Sequence, residues 1–236
     1  MAFRRSRVRF SSTPHKVDLT NFLFPILLMD FSSQISKILL QTNAVSLRLN
    51  PPFIWTSGIN SPIYTDNRIL ISYPKERKII VKKFVELIKT KIKNAIAIAG
   101  TSTAGIPWAS WIADKTNLPM IYVRNTKKNY GKENQIEGKI ETKNYILIED
   151  LISTGKSAIE SINAIRNNGG KISTCVSIFS YELKEAKNNF KKINCNFFSL
   201  TNFSNLISEA EKINYISKEE KNLILSWKKS PTDWKF

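Results

Sequence analysis

The residues best suited to chemistry stand together between Tyr145 and Ser157. An apolar run, Ile146, Leu147 and Ile148, leads into two acids, Glu149 and Asp150, and then into Leu151, Ile152, Ser153, Thr154, Gly155, Lys156 and Ser157. Small hydroxyl residues and a glycine that open a helix offer backbone N–H groups to an anion, and the helix dipole adds to the attraction. Carboxylates at the end of the strand cannot serve a phosphate. They can accept hydrogen bonds from two ribose hydroxyls and hold them in place. The combination therefore suits a sugar phosphate; the competing reading is a strand that merely ends in a polar turn, since acidic pairs are common on surfaces.

Gly155, Lys156 and Ser157 are also the last three letters of a Walker A loop. That motif requires a second glycine five residues before Gly155, where this chain has Asp150. A carboxylate there would repel the phosphates, so the P-loop reading is rejected.

These residues need elements to position them. Apolar residues at Ile35, Ile38 and Leu39 mark a helix over Phe31 to Ala44. Leu47 to Tyr64 reads as short strands broken by Pro51, Pro52, Gly58 and Pro62, a compact hood. Helical spacing returns over Lys75 to Lys91, with Ile80, Phe84, Leu87 and Ile88 on one face. Four apolar runs follow: Ala95 to Ala99, Met120 to Val123, Tyr145 to Ile148 and Ile172 to Phe179. Helices are expected through Trp108 and Trp111 and from Lys156 to Asn168, with a polar loop reaching Gly138. Continuous apolar strands alternating with helices imply strands buried on both faces of a parallel sheet. The expected fold is doubly wound α/β with a mainly parallel sheet, a small N-terminal hood and a helical C-terminal tail from Thr201 to Phe236. Ligands of such sheets bind beyond the carboxyl ends of the strands, where Gly100 to Gly105, Arg124 to Gly138 and Glu149 to Ser157 should converge.

The 236 residues suffice for one domain, and a formal net charge of +17 raises nucleic acid as a partner. The lysines are scattered among Asn and Ile rather than gathered into a stripe with exposed aromatics, so the charge reads as compositional bias, and no nucleic-acid partner is expected. No apolar run reaches the ~20 residues of a membrane span. Cys175 and Cys195 have no paired spacing, which argues against a disulfide framework or a zinc site and for a reducing compartment. Residues 1–28 stand apart: Arg4, Arg5, Arg7 and Arg9 with no acid before Asp18 resemble a targeting segment. The preferred alternative is an upstream extension before a true start at Met29, because Phe22 to Leu28 carries Pro25 and makes a poor amphipathic helix. The expected domain is then residues 29–236, with the hood around 29–73, in the cytoplasm; organelle import applies only if the extension is real. The sole histidine, His15, falls outside that domain.

Ile146 to Ser157, ILIEDLISTGKS, resembles the phosphoribosyl-diphosphate motif of type I phosphoribosyltransferases. That motif identifies the superfamily but not the base. Phe53 to Arg68, FIWTSGINSPIYTDNR, resembles the hood of orotate phosphoribosyltransferases, and Tyr122 to Gly138 with its NQIEG ending extends the similarity. The resemblance implies that Glu149 and Asp150 take the ribose hydroxyls, with Leu151 and Ile152 beside them, and that Ser153, Thr154, Gly155, Lys156 and Ser157 take the 5′-phosphate. It places Ser153 and Tyr64 at the orotate. Gly100 to Ala104 would face the diphosphate, and Arg124, Lys128 and Tyr130 would belong to a mobile loop that closes over it, commonly from the other subunit of a homodimer.

On that reading Arg124, Lys128 and Asp150 are the catalytic residues, phosphoribosyl diphosphate and orotate are the substrates, and Mg²⁺ is the cofactor without a dedicated protein cage. Magnesium keeps several waters and needs few protein ligands. Four positions depart from the family pattern: Thr56, Asn125 and Ala104 stand where many members carry lysine, and Tyr130 replaces a loop histidine. Two other readings keep the acidic motif: a phosphoribosyltransferase for another base, which should lack the SPIY hood, and a non-catalytic regulator that binds phosphoribosyl diphosphate.

Overall fold

The computed structural model describes residues 20–55, 58–92, 95–124 and 135–234, with side chains from residue 31 onward. The chain opens with helix α1 (Thr20–Gln41). It starts earlier than the expected Phe31 and runs through Pro25, whose missing N–H costs one hydrogen bond of the helix. Its buried residues, Phe31, Ile35, Ile38, Leu39 and Leu40, include the predicted stripe.

The hood follows as four short strands, β1 (Val45–Leu47), β2 (Phe53–Ile54), β3 (Asn60–Ser61) and β4 (Ile63–Thr65). β1 pairs antiparallel with β4, and β2 with β3. A 3-10 helix (Asn67–Ser72), capped by Asp66, then leads into α2 (Pro74–Lys91), where Pro74 sits at the first turn, the one place a helix tolerates it.

Next come β5 (Ala97–Thr101), α3 (Gly105–Thr116), β6 (Met120–Val123), β7 (Ile136–Glu137), β8 (Asn144–Ile152), α4 (Lys156–Asn167), β9 (Lys171–Ser180), α5 (Lys184–Lys192), β10 (Asn196–Asn202), α6 (Phe203–Lys212) and α7 (Lys218–Trp227). The six-stranded sheet has the order β10-β9-β8-β5-β6-β7, parallel except for the antiparallel edge strand β7.

Side chains alternate between two apolar layers. Ile98, Ile146, Ile148, Val176 and Ile178 join a large core with α1, α2, α3, α6 and α7. Ala97, Ala99, Leu147 and Cys175 join a smaller one with α4 and α5. Burial on both faces explains why the strands read as unbroken apolar runs. β10 and α5 were not anticipated. α5 is mostly lysine and asparagine, with only Ala186 and Phe190 buried, four residues apart. β10 buries just Leu200 and Thr201, so neither segment carries a clear apolar period.

From β5 the chain passes to β6 on one side and returns as β8 on the other. The topological switch therefore lies between β5 and β8, where such sheets bind ligands. Both cysteines are buried and free; burial pushes the Cys195 thiol up to about 11, which keeps it inert. Among the described residues no helix is long and apolar enough to cross a membrane.

Candidate active site

The acidic pair ends β8 at the switch point. Glu149 is 4% exposed, and Ser157 in the first turn of α4 donates to its Oε1 at 3.4 Å. Loss of solvation, then the Asp150 charge, raises the Glu149 carboxyl well above the usual carboxylate range. Desolvation raises Asp150 as well. An isolated buried pair of this kind holds on to a proton. It becomes favourable as two anions only when donors, such as sugar hydroxyls, reach it.

The loop beyond the pair is held in shape from behind. Gly155 adopts φ +82°, and a Cβ there would lie 2.7 Å from Cε2 of Phe190 on α5, so glycine is required twice over. Asn189, also on α5, donates from Nδ2 to the Thr154 carbonyl at 3.2 Å. With no acid in the first turn of α4, the free N–H groups of that turn face the loop unopposed. Leu151 and Ile152 pack into the two cores, so any contact they make with a ligand runs through the main chain.

α3 lies unusually close to β8: a Cβ at Gly105 would run into the Ile148 carbonyl oxygen. This brings the Gly100 to Ala104 loop alongside the acids. There Ser102 donates from both N (2.8 Å) and Oγ (2.6 Å) to the Val123 carbonyl, and the buried Thr101 hydroxyl lies beside Glu149, whose ionised form it favours.

The expected long loop from Arg124 to Gly138 is shorter than read, because its return limb is β7. Arg124 N donates to Gln135 O at 2.8 Å, Gln135 Nε2 returns a bond to Arg124 O at 2.9 Å, and Arg124 Nη1 lies 3.6 Å from Glu137 Oε1. Lys128 and Tyr130, like Asn125, fall among residues 125–134, outside the described residues, as does Thr56.

Across the mouth lies the hood. Tyr64 on β4 is 48% exposed, with its ring 5.6 Å from that of Phe53, over which the Arg48 guanidinium sits at 4.4 Å. The hood is braced by the far end of the chain. Trp227 of α7 is fully buried, donates from Nε1 to the Asn60 carbonyl at 2.9 Å, and packs 5.3 Å from Trp55 and 6.0 Å from Tyr181. The Tyr181 hydroxyl, at the end of β9, donates to Thr65 Oγ1 at 3.0 Å.

Against known families, residues 72–208 match the phosphoribosyl transferase domain. The chain is 47% identical to the orotate phosphoribosyltransferase of Coxiella burnetii over 207 residues, which are 87% of this chain and 99% of that one. The chain belongs to the orotate phosphoribosyltransferase family. A second relative of that name, from Malacoplasma penetrans, is 47% identical over 85% of this chain and 97% of its own. Among solved structures, the orotate phosphoribosyltransferase of Aeropyrum pernix superposes with a TM-score of 0.67 at 25% identity, covering 78% of this chain and 99% of that one. The doubly wound fold and the transferase class inferred from the acidic motif and the SPIY hood are thus correct.

Sequence reasoning passed over three residues that this geometry brings to the site. Asn67 stood within the quoted hood segment without a role; Asn189 and Phe190 stood in a helix that was not foreseen. Only contact across the fold reveals them.

Proposed function

We propose that this enzyme joins orotate to the ribose phosphate of phosphoribosyl diphosphate, releasing diphosphate, with Glu149 and Asp150 gripping the ribose and the Ser153 to Ser157 loop holding the 5′-phosphate. The observation that carries the assignment is the acidic pair at the switch point, Glu149 buried and Asp150 half-buried, immediately before a glycine-kinked helix N-terminus and beneath a hood that exposes Tyr64. Breaking the bond to diphosphate develops positive charge on the ribose ring and negative charge on the leaving group, so separating those charges is the main catalytic task. Asp150 and Glu149 favour the positive ring. Arg124 stands at the root of the loop that would meet the diphosphate, and releasing it from Glu137 would free it for that anion, together with Lys128. Tyr130 would lie beside the diphosphate on the same loop. Orotate enters as an anion, which removes the need for a strong general base.

The donors available also suit Mg²⁺. Among the described residues no cluster of three or more acidic, histidine or cysteine side chains forms a cage, and a magnesium ion that arrives with diphosphate needs only one or two carboxylates. Glu149 and Asp150, while accepting from the ribose hydroxyls, would be the carboxylates nearest such an ion, which would add positive charge beside the leaving group. The family resemblance further supports a homodimer in which Lys128 serves the neighbouring subunit. Activity recovered on mixing inactive Asp150→Asn and Lys128→Ala chains tests this, and no recovery despite subunit exchange would place Lys128 in its own subunit's site. A cytoplasmic location and a functional unit beginning near Met29 complete the proposal.

Turnover of orotate by the purified chain, compared with Asp150→Asn, tests the central assignment. The substitution preserves shape and removes charge, so activity should fall by far more than tenfold while the fold persists. Retention within about tenfold, roughly 1.4 kcal/mol of transition-state stabilisation, would overturn the ribose assignment.

A further inference from the structure

Asn67 is 1% exposed, although it opens the 3-10 helix of a hood whose rim is solvated. Its Nδ2 donates at 2.8 Å to the main-chain carbonyl of Asp150, 83 residues away, while its Oδ1 is buried without a partner. The sheet shows what the bond replaces. β8 pairs with β9 as far as Ile152, but β5 pairs with β8 only to Ile148. The Asp150 carbonyl lies past the last rung on the β5 side, and a side chain from the hood takes it.

The same short segment also carries the hood's charged rim. Asp66 N donates to Ala44 O at 2.8 Å, and Arg68 grips the Asp66 carboxylate with Nε at 2.7 Å and Nη2 at 2.9 Å. Tyr64 lies three residues upstream of Asn67 on the strand that feeds it. Asn67 therefore joins the piece of hood that bears Tyr64 to the peptide that sets the direction of the Asp150 carboxylate.

We infer that Asn67 is a positioning residue: it fixes the Asp150 peptide plane from the hood, so that the base-facing hood and the ribose grip move as one body. The inference rests on the assignment of Asp150 to the ribose. A displaced hood would swing Asp150 off the ribose, and a correctly seated base would hold it on. Because binding contacts must be placed within a fraction of an ångström to act in the transition state, releasing this tie should affect catalysis beyond any loss of stability.

The experiment is steady-state kinetics with phosphoribosyl diphosphate, Mg²⁺ and orotate on Asn67→Asp and Asn67→Ala, normalised to the folded fraction and run well below each variant's melting temperature. Asn67→Ala removes the donor, and Asn67→Asp keeps the shape but makes the bond to the Asp150 carbonyl depend on a protonated carboxyl. Ser36→Ala is the control, since it removes a buried hydrogen bond of 2.7 Å to Thr201 on the edge strand β10, which β9 separates from β8. The expected result is a fall of tenfold or more in kcat/KM for phosphoribosyl diphosphate in both Asn67 variants, with kcat lowered. Ser36→Ala should lose a few degrees of melting temperature with its kinetic constants unchanged. If the Asn67 variants only melt earlier, with wild-type kcat and KM per folded molecule, the residue is structural and the inference fails. If the wild-type chain itself makes no orotidine 5′-phosphate, the functional reading fails instead.

Discussion

The two halves of the site are built in opposite ways. The proposed ribose and phosphate grip is local: Glu149 to Ser157 is one unbroken stretch, shaped by the end of β8, by a glycine at φ +82° and by the start of α4. The hood is composite, with its strands only two or three residues long and its placement set by Trp227, Tyr181 and Asn67. Isolated strands of that length have little stability of their own. On the proposed assignment, the phosphate loop is thus carried in a dozen residues, whereas the base-facing hood is assembled from distant parts of the chain.

The largest break in this comparison should come from the tail. Trp227 is fully buried between Trp55, Tyr181 and Phe203, so Trp227→Ala is expected to cost about 3–5 kcal/mol and to lower the melting temperature by roughly 10 °C. Trp227→Phe keeps a ring but loses the donor to Asn60, and should raise the KM for orotate more than that for phosphoribosyl diphosphate. Equal changes in both constants would mean that the tail does not support the hood selectively.

A second effect is confined to the grip. Desolvation and the neighbouring Asp150 raise the Glu149 carboxyl above its unfolded value, so the empty enzyme binds a proton more tightly than the unfolded chain does. Stability is then fully present below the unfolded carboxylate range, near pH 4, and is lost as pH rises from there through the raised folded value. Ribose hydroxyls need ionised acceptors, so affinity for phosphoribosyl diphosphate should change in the other direction, rising with pH by up to about tenfold per unit over the same interval. Melting curves and binding titrations from pH 5 upward, on wild type and Glu149→Gln, check both signs. A wild-type profile as flat as that of Glu149→Gln would show that the pair is already ionised.

The same contrast explains what could be read in advance. The acidic pair, the phosphate loop and the four core strands were legible because their signals are local: apolar runs of strand length, and residue types whose chemistry depends on near neighbours. The hood was legible as short strands broken by prolines and a glycine, but its part in facing the base came only by resemblance. Asn189 and Phe190, which shape the phosphate loop from α5, were not legible, since a segment reading KEAKNNFKK gives no sign of which face it buries. The base of the Arg124 loop was misjudged because β7 is two residues long and pairs only through contact with β6. The helical tail was foreseen, but not that its Trp227 would reach Asn60, a contact that no periodicity encodes.

The most direct test of the division between grip and hood is the effect of Tyr64→Ala on the two substrates measured separately. Aromatic contact with a base is worth about 1–3 kcal/mol, so the KM for orotate should rise roughly tenfold or more. Tyr64 is exposed and its ring packs against Phe53, so the KM for phosphoribosyl diphosphate should stay within about twofold of wild type. A rise confined to phosphoribosyl diphosphate, or an unchanged KM for orotate, would contradict the assignment of the base to the hood.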